Sequence, residues 1–150
     1  MLARLAFVAL LALDADQRAE QILHAELARA RPEYSFLMEE SGHKSATEPA
    51  SGAAPRRWII DPLDGTTNFL HGLPHFAISI GLEERGEIIA GVVYDPIKDE
   101  MFWAEKGAGA YLNDRRLRVS ARANLDSALM ATGAPFKGHG DSPQFLAELS

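Results

Sequence analysis

The twelve residues from Trp58 to Phe69, WIIDPLDGTTNF, concentrate the groups best suited to chemistry. A short apolar run, Trp58 to Ile60, reads as a buried strand ending at Asp61, which would hold that carboxylate rigidly at the edge of a sheet. Pro62 restrains the turn, Leu63 offers a backbone carbonyl, and Asp64 adds a second carboxylate three residues after the first. Gly65, Thr66 and Thr67 then supply small side chains, free N–H groups and two hydroxyls. Carboxylates beside a carbonyl are hard oxygen ligands of the kind Mg²⁺ takes, and adjoining N–H groups suit an anion such as phosphate. The same string also reads as a plain Asp-Gly turn with an Asx cap. Upstream, the acidic pair Glu39 and Glu40 reads as solvated charges before a loop. His71 and His75 are four apart, but Gly72 and Pro74 place them in a loop, so the helical spacing of a zinc site fails.

Several other chemistries are excluded. The 150 residues contain no Cys, so disulfides, Cys-ligated zinc and a thiolate nucleophile are ruled out. Lys plus Arg number 15 against 21 Asp plus Glu, a net charge of −6, which argues against a nucleic-acid partner. The Gly107-Ala108-Gly109-Ala110 stretch is a turn or bulge, since it lacks the Lys-Ser/Thr ending of a phosphate loop. Phe102 and Trp103 read as core and turn packing.

The elements that must position these groups follow from periodicity. Ala19, Ile22, Leu23, Leu27 and Ala30 form one face of a helix over residues 16–31, with Asp16 as its N-cap and Pro32 as its stop. A short apolar run, Tyr34 to Met38, follows, and residues 41–55 read as a mobile loop rich in Ser, Gly, Ala and Pro. Phe76 to Leu82, Ile88 to Tyr94 and Met101 to Ala104 read as strands joined by turns too short for parallel crossovers, hence an antiparallel meander. Leu129 to Thr132 suggests one more strand, and Gln144 to Ser150 the opening of a helix. Leu5 to Leu13 is nine apolar residues behind Arg4, far short of the roughly 20 that span a membrane. It is either a buried segment or an imitation of a secretory signal. The expected class is α+β, a two-layer domain of helices on an antiparallel sheet, in a cytoplasmic setting with no membrane partner.

DPLDGTTNF, Asp61 to Phe69, closely resembles the signature of the inositol monophosphatase family, Mg²⁺-dependent phosphomonoesterases related to fructose-1,6-bisphosphatase. FLMEES (Phe36 to Ser41) and GVVYDPIKDEMFWAEKGAGAYLN (Gly91 to Asn113) are similar to its flanking segments, and the resemblance runs from about Asp16 to Ser150. It implies Glu39, Asp61 and Asp64 as metal carboxylates, with Leu63 binding metal through its carbonyl. Thr66 and its carboxylate partner Asp16 would act on the attacking water. Gly65 and Thr66 would offer N–H groups to the substrate phosphate, with Asp64 also at the substrate. A small phosphorylated polyol or sugar as substrate, Mg²⁺ as cofactor and a homodimer are implied in the same way.

Two departures qualify that resemblance. The family pattern has a helix and a strand hairpin ahead of Asp16, where this chain has MLARLAFVALLAL. The family also takes another metal-binding aspartate, and most contacts to the substrate's ring, from a W-D motif in a second α/β half; here Trp58 and Trp103 are followed by Ile59 and Ala104. The expectation is therefore an atypical segment, residues 1–15, then the N-terminal half of an αβαβα sandwich, residues 16–150, with weak activity. The alternatives are a phosphatase for another small sugar or nucleotide phosphate, and a non-catalytic fragment or paralogue working through protein contacts. Some bacterial members of the family associate with transcription machinery.

Overall fold

The structure, a computed structural model, describes residues 2–46, 55–129 and 147, with the backbone alone for residues 2–13. The chain divides into two compact units, residues 1–118 and 119–150. The first opens on one helix, α1 (Leu2–Ala30), and continues through β1 (Ser35–Met38), β2 (Gly42–Lys44), β3 (Arg56–Asp64), a short helix α2 (Thr66–Leu70), β4 (Ala77–Glu84), β5 (Glu87–Asp95), β6 (Glu100–Glu105), β7 (Gly109–Leu112) and β8 (Arg115–Arg116). Among the described residues the second unit holds a 3₁₀ turn, Leu125–Ser127. The suggested strand at Leu129 to Thr132 and helix at Gln144 to Ser150 lie outside the described residues, apart from Leu129 and Ala147.

Helix α1 is longer than periodicity predicts. Asp16 lies in its interior and is no N-cap, because the Ala- and Leu-rich residues before it have high helix propensity and no Gly or Pro interrupts them. The ion pair of Arg18 with Asp14, 3.0 Å and four residues apart, spans the place where a start was expected. Its buried stripe is also rotated from the predicted one. Asp16, Glu20, Leu23 and Leu27 face inward, whereas Ile22 is 65% exposed. The stripe thus begins with two carboxylates and ends with leucines. Among the described residues, no helix is long and apolar enough to cross a membrane.

All eight strands form one sheet in the order β2-β1-β3-β4-β5-β6-β7-β8. The pairs from β3 to β8 are antiparallel, as alternation and short turns predict for β4, β5 and β6. Strands β7 and β8 are additional, and Gly109 and Ala110, expected in a turn or bulge, lie in β7. The expected all-antiparallel sheet is corrected at one place: β1 pairs parallel to β3, with Phe36 opposite Trp58 and Met38 opposite Ile60. The β2 hairpin and the connection after it give the chain length enough to return in the same direction. Residues 42–44, expected as loop, are strand β2.

The core lies where α1 crosses β1 and β3. Phe36, Met38 and Ile60 are almost fully buried there, packed by Leu23, Leu27, Ala28, Trp58 and Ile80. The opposite face of the sheet is open. Leu37, Ile59, Gly81, Gly91, Ala104 and Ala110 stand in register across six strands, and this row, small from Gly81 onward, floors an apolar trough of about 740 Å³. Phe102, expected in the core, lines this trough and is 38% exposed. Trp103 stacks on Tyr111 with ring centroids 4.3 Å apart.

Candidate active site

The parallel β1–β3 pairing creates the site. Because Met38 lies opposite Ile60, the next residue of each strand, Glu39 and Asp61, emerges at the same end of the sheet. The Glu39 N–H donates to the Ile60 carbonyl at 3.2 Å, extending the ladder by one bond and holding the backbone of Glu39 beside β3. Both side chains border the wall of the trough.

Strand β3 runs on through Pro62 and Leu63, both buried, to Asp64, instead of ending at Asp61. Its pairing with β4 is irregular between Asp61 and Asp64, so the D-P-L-D segment is a bulged strand end, a common device for re-aiming side chains. Asp61 accepts the Leu63 N–H at 3.1 Å, which is the local Asx bond expected of an Asp-Pro turn. Gly65 then turns the chain into α2 with left-handed backbone, φ 94° and ψ 33°. A Cβ at this position would lie 3.0 Å from the His75 carbonyl and 3.3 Å from the Phe76 backbone, so both conformation and space require glycine. Asn68 fastens α2 by donating to the same His75 carbonyl at 2.7 Å, and Phe69 meets Phe76 edge-on at 5.2 Å.

Helix α1 brings in Asp16 from the other side. It is 3% exposed, and its Oδ1 is buried without a hydrogen-bond partner. Burial, followed by the charges of Glu40, Asp61 and Glu20, raises its carboxyl to about 6. Glu39 is raised to about 7, first by its hydrogen bond with Asp61, then by burial and by the charges of Asp61, Asp16 and Glu40. The Glu39 carboxyl is therefore held toward its protonated form beside Asp61.

Not every residue named from sequence converges. Asp64 is exposed and lines a second cavity of about 440 Å³, with Gly65, Asn68, His75 and Lys98. Among the described residues, no three His, Asp or Glu side chains are arranged as a ready ion cage. The Thr66 hydroxyl donates to the Leu63 carbonyl at 3.0 Å instead of to Asp16. The donor set still suits a hard divalent cation, since it offers carboxylate and carbonyl oxygens together with a buried carboxylate oxygen that has no partner. The sequence reading missed Glu20, a buried carboxylate on the same stripe as Asp16. Its position four residues after Asp16 was the available signal.

The raised carboxyls make stability depend on pH. Their folded pKa values lie above the ordinary 3.8 and 4.5, so the folded chain keeps protons that the unfolded chain has released. The resulting stabilisation is fully present below about pH 4 and is lost as pH rises through about 6 to 7. For Asp16 the loss is on the order of 3 kcal/mol; Glu39, more exposed, contributes less because water screens it. Melting temperature measured in chelator should fall from about pH 5 to about pH 8, and Asp16→Asn should flatten that fall. A parent chain equally stable across this range would contradict the assignment.

The family profile described as "Inositol monophosphatase family" matches residues 10–150. The chain belongs to the inositol monophosphatase family. It is 54% identical over 136 residues to inositol-1-monophosphatase of Rhizobium meliloti, covering 91% of this chain and 49% of that protein. It is 43% identical over 124 residues to the Nus factor SuhB of Escherichia coli, covering 83% of this chain and 45% of that one. Among solved structures, the extragenic suppressor protein suhB of Bartonella henselae superimposes with a TM-score of 0.80 at 51% identity, covering 89% of this chain and 50% of that chain. The chain thus spans about half the length of the relatives it matches. The inositol monophosphatase match starts at residue 10, within α1, and so includes part of the segment that looked foreign to the family.

Proposed function

We propose that this chain carries the N-terminal share of the active site of a Mg²⁺-dependent phosphomonoesterase acting on inositol monophosphate. The observation that supports this most is the Glu39–Asp61 pair, set side by side where the parallel pairing of β1 and β3 ends, with Asp61 opening the D-P-L-D-G-T-T segment. Relatives named inositol-1-monophosphatase, 52–54% identical, support the substrate class. Glu39, Asp61, Asp64 and the Leu63 carbonyl would hold the ion. When bound, Mg²⁺ activates water and offsets charge on the phosphoryl and leaving oxygens. Gly65 and Thr66, at the start of α2, would direct N–H groups that the helix cannot satisfy internally toward the phosphate. Asp16, with its unpartnered buried Oδ1, and Thr66 would act on the attacking water. Release of phosphate from inositol 1-phosphate should require Mg²⁺ and disappear in Asp61→Asn. Release that survives Asp61→Asn would overturn the proposal.

Self-association belongs to the same reading, because the resemblance to the family implies a homodimer and the face of the sheet opposite α1 exposes Leu37, Val93 and Phe102. Sedimentation at roughly tens of micromolar should show a dimer or larger species, and a clean monomer would argue against it. A second reading, action through protein contacts, is supported by relatives named Nus factor SuhB at 43–48% identity. Asp61→Asn separates the two, since it would leave such a contact surface intact.

A further inference from the structure

Glu20 takes no part in the chemistry assigned above, yet it is 4% exposed, almost as buried as Asp16 one helical turn earlier. Among the described residues, no Lys or Arg forms an ion pair with it. Its partners are backbone amides. Glu20 Oε2 accepts the N–H of Glu40 at 3.1 Å and the N–H of Ser41 at 3.3 Å. Both amides belong to the turn that follows Glu39 and links β1 to β2.

The placement is informative because it is expensive. Burying a carboxylate disfavours its charged form, and here Asp16 is a like-charged neighbour on the same helix face. A neutral side chain that accepts hydrogen bonds would satisfy the same two amides with less electrostatic opposition. What the carboxylate adds is strength, because hydrogen bonds to an ionised acceptor are about twice as strong as neutral ones. The result is a two-sided grip on Glu39: its own N–H is tied to β3 through the Ile60 carbonyl, and the next two amides are tied to α1. A short turn held at both ends leaves its glutamate few directions in which to point.

We propose, building on the phosphatase reading above, that Glu20 is a positioning residue: it clamps the turn after Glu39 onto α1, so that the Glu39 carboxylate stays beside Asp61 to receive a divalent cation. Groups that orient a metal ligand in this indirect way typically change affinity by about ten- to a hundredfold when removed.

The test compares the parent chain with Glu20→Gln by two measurements. Amide hydrogen exchange in the metal-free chain reads the clamp directly, and free Mn²⁺ followed by electron paramagnetic resonance reads the affinity for the ion alone. Glu20→Gln should exchange faster at Glu40 and Ser41, keep the parent's protection in the β4–β5 hairpin, and bind Mn²⁺ at least about tenfold more weakly. Parental Mn²⁺ affinity in Glu20→Gln would overturn the proposal, whatever the change in stability. If the parent chain itself binds no Mn²⁺, the phosphatase reading fails, and exchange alone decides here. Faster exchange confined to the turn supports the clamp, and unchanged exchange overturns it. Should Glu20→Gln fail to fold, Glu20→Asp carries the same comparison, because it keeps the charge but is one methylene too short to reach both amides.

Discussion

The 150-residue chain, assayed with Mg²⁺ and inositol 1-phosphate, should turn over about a thousandfold more slowly than the full-length Rhizobium meliloti inositol-1-monophosphatase. The chain spans 49% of that protein, and the residues it contributes are one side of a site. Glu39 and Asp61 meet at the sheet end, while Asp64 stands exposed in a neighbouring cavity and the trough beside them is open. The resemblance to the family places a further metal carboxylate, with most contacts to the substrate ring, in a W-D motif that these residues do not contain. Losing one member of a clamp that stabilises both attacking and leaving oxygens removes several kcal/mol from the transition state. At 1.36 kcal/mol per factor of ten, about 4 kcal/mol is a thousandfold. An unheld substrate ring adds a loss of orientation. Turnover within about tenfold of the relative would show that Glu39, Asp61 and Asp64 suffice.

How much of this was legible in the residues depends on how local each feature is. The turn at Gly65 was, because an Asp-Gly pair followed by small hydroxyl residues is a local signal, whereas the continuation of β3 through Pro62 and Leu63 to Asp64 was not. The β4–β5 and β5–β6 hairpins were too, since alternation and short turns are local signals, but β7 and β8 were not. The parallel β1–β3 pair was not, although it makes the site, because its register joins residues more than twenty positions apart through a connection with no periodicity. Residues 36–41 could be matched to the family segment ending in E-E-S, but nothing within them says that Glu39 lies beside Asp61. The rotation of α1 escaped for a related reason. Hydrophobic periodicity finds the apolar part of a buried stripe, and this stripe begins with Asp16 and Glu20. Here α1 turns two carboxylates inward, so the exposed Ile22 is the counterpart of two buried acids that an apolar pattern cannot register.

Those inward carboxylates lead to the other large expectation: saturating Mg²⁺ should stabilise the chain by about 2.7 kcal/mol when present at a hundred times its dissociation constant. For a domain of this size that is roughly 5–10 °C in melting temperature. The Asp61 charge raises the cost of ionising both Asp16 and Glu39, and Asp16 raises that of Glu39. A divalent cation replaces that repulsion with attraction in the folded state and finds no such cluster in the unfolded chain. It must also displace the proton that the raised Glu39 carboxyl holds, so binding and deprotonation are coupled. The shift should therefore be larger near pH 8 than near pH 5, opposite in direction to the chain's own loss of stability over that range. Asp61→Asn removes a ligand and the acceptor that pairs with Glu39, and should abolish most of the shift at both pH values. Asp14→Asn serves as the comparison, since Asp14 is exposed and ion-paired with Arg18 on the outer surface of α1. An equal Mg²⁺ shift in the parent chain and in Asp61→Asn would mean that the ion binds elsewhere, and no shift in either would mean that these carboxylates do not hold a divalent cation in this chain.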